Sequence, residues 1–217
     1  MQQRAQETRR KILQAAVTVF SVKGLNGATV DEIAVTAGVN KQRLYAYYGS
    51  KQKLFEASLL HVFQQVELFS AETVKQAGAH PEKLTEILLR GFIRVHAAHP
   101  AFWRLLSWAN LEGGECVQVL DRARKAENEA LREIFDRALQ LGLLREIRFE
   151  TYLFTLLAVS YFYYSNRLTL SHTLDVTLSS NEWRRCLYED LNRVFSRQEP
   201  DSGKKRLRAL EKSPSGD

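Results

Sequence analysis

Residues 29 to 50 hold three helix start signals and a helix stop signal within 22 positions, and no other stretch restricts the fold as tightly. Thr29 with Glu32 three places on forms a capping box, so a helix starts there, buries Val30, Ile33, Ala34 and Ala37, and ends at Gly38. Asn40 is a good N-cap for a second short helix, Lys41 to Tyr48, and Ser50 caps a third that begins at Lys51. Two short helices joined by Gly38-Val39-Asn40 have the length and turn of a helix-turn-helix, whose second helix lies in the DNA major groove.

The charge points to the same place. Residues 1 to 55 carry nine Lys and Arg against three acids, an excess that equals the whole chain's formal +6. A mildly acidic stretch from 56 to 195 and a basic end from 196 cancel one another. Such asymmetry describes a polyanion-binding head on a neutral body.

The rest of the chain reads as helix. In residues 6 to 23, Ile12, Leu13, Ala16, Val17 and Phe20 recur at three- and four-residue spacing, and Gly24 follows as a C-cap. The helix from Lys51 meets no breaker before Gly78. Further helices are expected after Pro81, after Pro100, from about Glu115 to Leu141, from about Phe149 to Leu168, and from Asn181 to Ser196. No alternating strand pattern of useful length and no internal repeat is present. The expected fold is all-α, about nine helices. It divides into a DNA-binding head (1–50), a helical body (51–196) and a disordered basic tail (197–217).

On a helical wheel of Lys41 to Tyr48, Leu44 and Tyr48 face the protein while Gln42, Arg43 and Ala46 face away. Lys41, Gln42 and Arg43 fill the first turn, and Arg and Gln can bond guanine and adenine edges through two hydrogen bonds. Ala46 lets the backbone approach, against a thymine methyl. Tyr45, Tyr47, Lys51 and Thr29 are placed for phosphate oxygens, and Tyr48 reads as a core ring whose hydroxyl finds a partner.

The stretch TVDEIAVTAGVNKQRLYAYYGSKQKLF resembles the DNA-binding signature of the TetR family of bacterial transcriptional regulators. The likeness spans about residues 8 to 56: Thr29, Ile33-Ala34, Ala37-Gly38-Val39, Leu44-Tyr45, Tyr48, Ser50-Lys51 and Leu54 hold the family's positions. Asn40 stands where Ser or Thr is commoner, and Ala46 where a larger side chain is frequent; both bear on which bases are read. The resemblance implies an all-helical homodimer on a double-stranded DNA operator, most often a repressor. It also implies a divergent C-terminal part that binds a small effector and pairs through its last two helices.

The sequence supports the body's role more loosely. Phe63, Phe92, His96, Trp103, Trp108, Tyr161 and Tyr164 mix aromatic walls with polar tips, as ligand cavities do, and also fit plain core. Leu156, Leu157, Tyr161, Leu187, Leu191 and Val194 are candidates for the dimer face. His96 and His99 lack a third ligand in register, so no metal is expected, and no cofactor motif is present. Cys116 and Cys186 are too far apart in sequence to suggest a disulfide framework or zinc knuckle. No signal segment or membrane span is expected, which places the chain in the cytoplasm. GxSxG, HExxH and glycine-rich phosphate motifs are absent, which counts against an enzyme. A protein that coats DNA without reading sequence, with KKRLR in the tail as an extra clamp, is the remaining rival.

Overall fold

The computed structural model describes residues 2–197, apart from the side chains of residues 2, 68, 69, 122, 123 and 126. Among these residues nine α-helices follow one another: α1 (Gln2–Gly27), α2 (Val30–Ala37), α3 (Lys41–Tyr48), α4 (Lys51–Ala79), α5 (Leu84–Ala98), α6 (Pro100–Leu111), α7 (Asp121–Gln140), α8 (Phe149–Leu174) and α9 (Asn181–Phe195). Short 3₁₀ turns at Pro81–Lys83 and Glu115–Leu120 precede α5 and α7. Of the predicted tail only Arg197 falls among the described residues. Among them, no helix is long and apolar enough to cross a membrane.

The expected bounds hold closest where caps are explicit. Thr29 Oγ1 accepts from the Glu32 amide at 3.2 Å and the Glu32 carboxylate accepts from the Thr29 amide at 3.0 Å, closing the capping box. Gly38 at φ +66 ends α2 in a left-handed turn that strains any side chain. The Asn40 side chain accepts from the Arg43 amide at 2.8 Å, and Ser50 Oγ from the Lys53 amide at 3.1 Å.

Elsewhere the helices depart from expectation. The helix expected from Glu115 begins as the 3₁₀ turn and becomes α-helical only at Asp121. In that turn Cys116 and Leu120 reach the core. Helix α8 runs six residues past Leu168, to Leu174, and is capped by Asp175 at φ +50. Helix α1 continues beyond Gly24 through a kink at φ +71. There Trp108 of α6 and Glu112, its C-cap, press so close that a Cβ on Gly24 would lie 2.7 Å from both. The Glu112 carboxylate accepts from the Leu25 and Asn26 amides at 2.8 Å each, groups that the kink would leave unpaired. This contact ties the end of α1 to α6.

Two hydrophobic cores result, and helix α4 runs through both sides of the protein. The first joins Ile12 and Phe20 of α1, Ile33 of α2 and Leu44 of α3 to Leu54–Val66 of α4 and Phe102–Ala109 of α6. It therefore crosses residue 50 without a break. The second gathers α5, α7, α8 and α9 around Tyr152, Phe135 and Phe195. At 29 residues α4 is about 44 Å long.

Candidate nucleic-acid interface

Helix α3 is held from below and open above. Leu44 is fully buried and Tyr48 nearly so. The Tyr48 hydroxyl donates to the Arg9 carbonyl at 3.0 Å while the Arg9 guanidinium lies 5.7 Å from its ring centre, which pins α3 to α1. Burial raises the Tyr48 hydroxyl above its ordinary pKa, so it remains a donor. The predicted core role of Tyr48 is the one the structure shows.

On the outer side, Gln42, Arg43 and Ala46 are exposed, and neither Gln42 nor Arg43 has a side-chain hydrogen bond or ion pair among the described residues. Tyr45 is exposed and Tyr47 half-buried on the flanks. Lys41 differs: its ammonium pairs with Asp31 at 2.9 Å, which raises its pKa. Both partners are exposed, so this pair contributes little stability and exchanges readily. The Lys51 ammonium donates to the Ala28 carbonyl at 3.1 Å, fixing the start of α4 beside the start of α2. Two of its three N–H donors remain for another acceptor. Thr29 uses its oxygen as a cap acceptor, which leaves its hydroxyl hydrogen to donate. A Lys23–Glu32 pair steadies the capping box from outside and lowers the Glu32 pKa. Sequence periodicity could not show the Asp31, Ala28 and Glu112 contacts, because each joins residues at least 10 positions apart.

The body holds a cavity of about 370 Å³ among α4, α5, α6, α7 and α8. Phe63, Phe92, His96 and Tyr161 line it, as expected. Trp103, Trp108 and Tyr164 do not. Trp108 is taken up at the Gly24 joint, Trp103 carries Arg104 across its ring at 5.4 Å, and Tyr164 packs edge-on to Tyr163 at 4.9 Å. Phe102, Phe154 and the polar group Ser70, Arg124, Glu127 and Asn128 also line the cavity. The charged run of α7 gave no sign of this, since a polar helix face looks the same in sequence whether it meets water or a cavity.

His96 is the most constrained polar group there. It is 6% exposed, stacked on Phe102 at 5.9 Å, and its Nδ1 has no partner among the described residues. Burial lowers its pKa to about 4, so it is neutral at physiological pH. Burial also raises the Glu127 carboxyl, partly offset by a Ser70 hydrogen bond. The Tyr161 hydroxyl lies 2.5 Å from Ser107 Oγ, linking the cavity wall to α6.

The candidate dimer residues divide. Leu156 is fully buried within the single chain and offers nothing to a second copy, because α8 turns that position into the second core. Tyr161 faces the cavity, and Leu187 and Leu191 are half-buried against the second core. Leu157 and Val194 are exposed, joined on α8 by Phe154, Phe162 and Leu168, which the sequence pattern did not single out.

Residues 12–58 match the family described as bacterial regulatory proteins, tetR family, and residues 81–190 match the tetracyclin repressor-like C-terminal domain. The HTH-type transcriptional repressor NicS of Pseudomonas putida is 34% identical over 184 residues, 83% of this chain and 86% of that protein. The HTH-type transcriptional repressor SCO4008 of Streptomyces coelicolor is 38% identical over 107 residues, 49% of this chain and 52% of that one. A solved TetR family transcription regulator from Marinobacter aquaeolei matches the fold at a TM-score of 0.70 and 20% identity, covering 91% of this chain and 100% of that one.

Proposed function

Since this chain belongs to the TetR family of bacterial regulatory proteins and is a DNA-binding transcriptional regulator, we propose that it is a homodimeric repressor whose α3 helices read a palindromic operator. The observation that carries the reading is the bare first turn of α3. Gln42 and Arg43 are exposed and have no side-chain partner among the described residues, on a helix whose opposite side is buried and pinned. Arg43 and Gln42 bond base edges, Ala46 admits the backbone, and Lys41 exchanges Asp31 for a base or phosphate. Thr29, Tyr45, Tyr47 and Lys51 hold phosphates.

In this reading residues 1–50 are the head and 51–196 the body, and the protein works in the cytoplasm, by binding and without catalysis. The α8 face bearing Phe154, Leu157 and Phe162, with Val194 of α9, buries against the second copy. Phe154 and Leu157 also line the cavity, so pairing closes its side. A small, mainly apolar effector occupies the cavity with one polar group on His96 Nδ1. By favouring a different tilt of α4 from the one that fits DNA, it lowers operator affinity.

Selection from a random duplex library supplies the operator. Against it, Arg43→Ala and Gln42→Ala each cost about 1–3 kcal/mol and relax one base position, whereas Lys51→Ala weakens all sequences alike. Uniform losses from all three would refute base reading by this turn.

A further inference from the structure

We propose that the outer face of the first three turns of α1 is a second DNA-binding surface, on which Arg4 and Lys11 hold the phosphates flanking the groove that α3 enters. The inference rests on the proposed function in one respect: α3 must lie in that groove.

Arg4, Thr8 and Lys11 stand at i, i+4 and i+7, one stripe of a helix. In the fold this stripe and the Arg43–Tyr47 stripe of α3 form the two walls of one open groove. Arg4, Lys11 and Arg43 are all exposed. The groove is therefore continuous with the base-reading turn. Its width is fixed, because the bond from Tyr48 to the Arg9 carbonyl joins the two walls from beneath.

Its charge selects a polyanion. Three cations face one carboxylate, Glu7, which lies 3.6 Å from both Arg10 and Lys11. These pairs are more than half exposed and separated by nearly four ångströms, so they are weak and a phosphate displaces them easily. Thr8 contributes no competing donor, since its hydroxyl already serves the Arg4 carbonyl at 2.8 Å. The stripe from Arg4 to Lys11 spans about 10 Å, enough to meet more than one phosphate of a strand. Apart from Tyr47 the walls carry no ring on which bases could stack, which favours the backbone of a duplex over a single strand.

The test uses the full-length protein, the selected operator and a random duplex of equal length, with dissociation constants measured by fluorescence anisotropy from roughly 50 to 200 mM salt. The double variant Arg4→Gln, Lys11→Gln keeps the side-chain stems and helix propensity while removing the charge. It is expected to weaken both duplexes and keep the base preferences. In a dimer it should reduce the slope of log affinity against log salt by about 3 to 4, at about 0.9 for each phosphate no longer neutralised. Glu7→Gln should tighten both duplexes, and Lys75→Ala, an exposed cation near the C-terminal end of α4, should change neither. An unchanged salt slope in the double variant overturns the proposal even where Arg43→Ala still relaxes a base position. Arg43→Ala that relaxes none, with the slope reduced, overturns the α3 reading instead.

Discussion

The same helix, α4, serves two differently built surroundings. Around its first three turns the packing is closed: Phe20 and Phe55 meet edge to face at 5.1 Å, and Ile12, Ile33, Leu44 and Leu54 are fully buried. Farther along, the helices separate around a cavity of about 370 Å³, where a buried imidazole nitrogen lacks a partner among the described residues. Filled space holds side chains in one position, as base reading requires; unfilled space can take up a ligand. The contrast is physical and can be tested at each end.

The largest effect is expected from truncating the closed side. Leu44→Ala removes the only fully buried side chain of α3 and leaves a void that the surrounding rings cannot fill, costing about 3 kcal/mol or more in urea unfolding and abolishing operator binding. Leu106→Ala, on the cavity wall, enlarges an existing space and should cost about half as much or less. Equal costs would mean the two surroundings pack alike.

A similar but pH-dependent effect belongs to the open side. His96 titrates at about 4 in the folded chain against an ordinary 6.5, so between these values the unfolded chain binds more protons. Stability from this group is therefore complete above about pH 6.5 and is lost as the pH falls toward 4, by about 3 kcal/mol in all. The charged groups sharing the cavity wall are Arg124 and Glu127 of α7. Tyr161 and Tyr164 of α8 lie with their ring centres 6.1 Å from the imidazole. His96→Leu should flatten the stability profile across that window while changing little at pH 7.5, as followed by thermal unfolding. A profile that keeps its slope would assign the acid loss to other groups.

The head was legible in the sequence because its signals are local. A capping box, a left-handed glycine and an Asn cap act within four residues of themselves, so spacing alone placed α2 and α3 and the exposed side of Lys41 to Tyr48. The fates of Lys41 and Lys51 were not legible. Each depends on a neighbour across a helix boundary, Asp31 for one and Ala28 for the other. The body shows the same limit on a larger scale. Aromatic residues at helical spacing marked Phe63, Phe92, His96 and Tyr161, yet the same spacing also marked Trp108, which instead fills the gap left by a side chain missing at Gly24. On α8 the helix is apolar almost all round, so sequence could not choose between Leu156, which is buried, and Phe154, which is exposed.

The smallest predicted effect separates the two sides most cleanly. Asn40 and Ser180 do the same work on helices of the two regions: each side chain accepts from the amide three residues on, Arg43 at 2.8 Å and Trp183 at 3.1 Å. Replacing either by Ala should cost about 1 kcal/mol, roughly 2–4 °C in melting temperature for a chain of this size. Their effects on DNA should differ. Helix α3 has eight residues, and its first turn carries the proposed base contacts, so fraying there after Asn40→Ala misplaces Gln42 and Arg43 directly. Operator affinity should fall further than the drop in stability alone explains, while binding to random duplex, governed by phosphate contacts, falls less. Ser180→Ala frays the start of α9, which lies in the body, and should leave both affinities near their original values. Equal reductions of operator binding from the two substitutions would mean that recognition depends on the stability of the whole chain and not on the geometry of one turn.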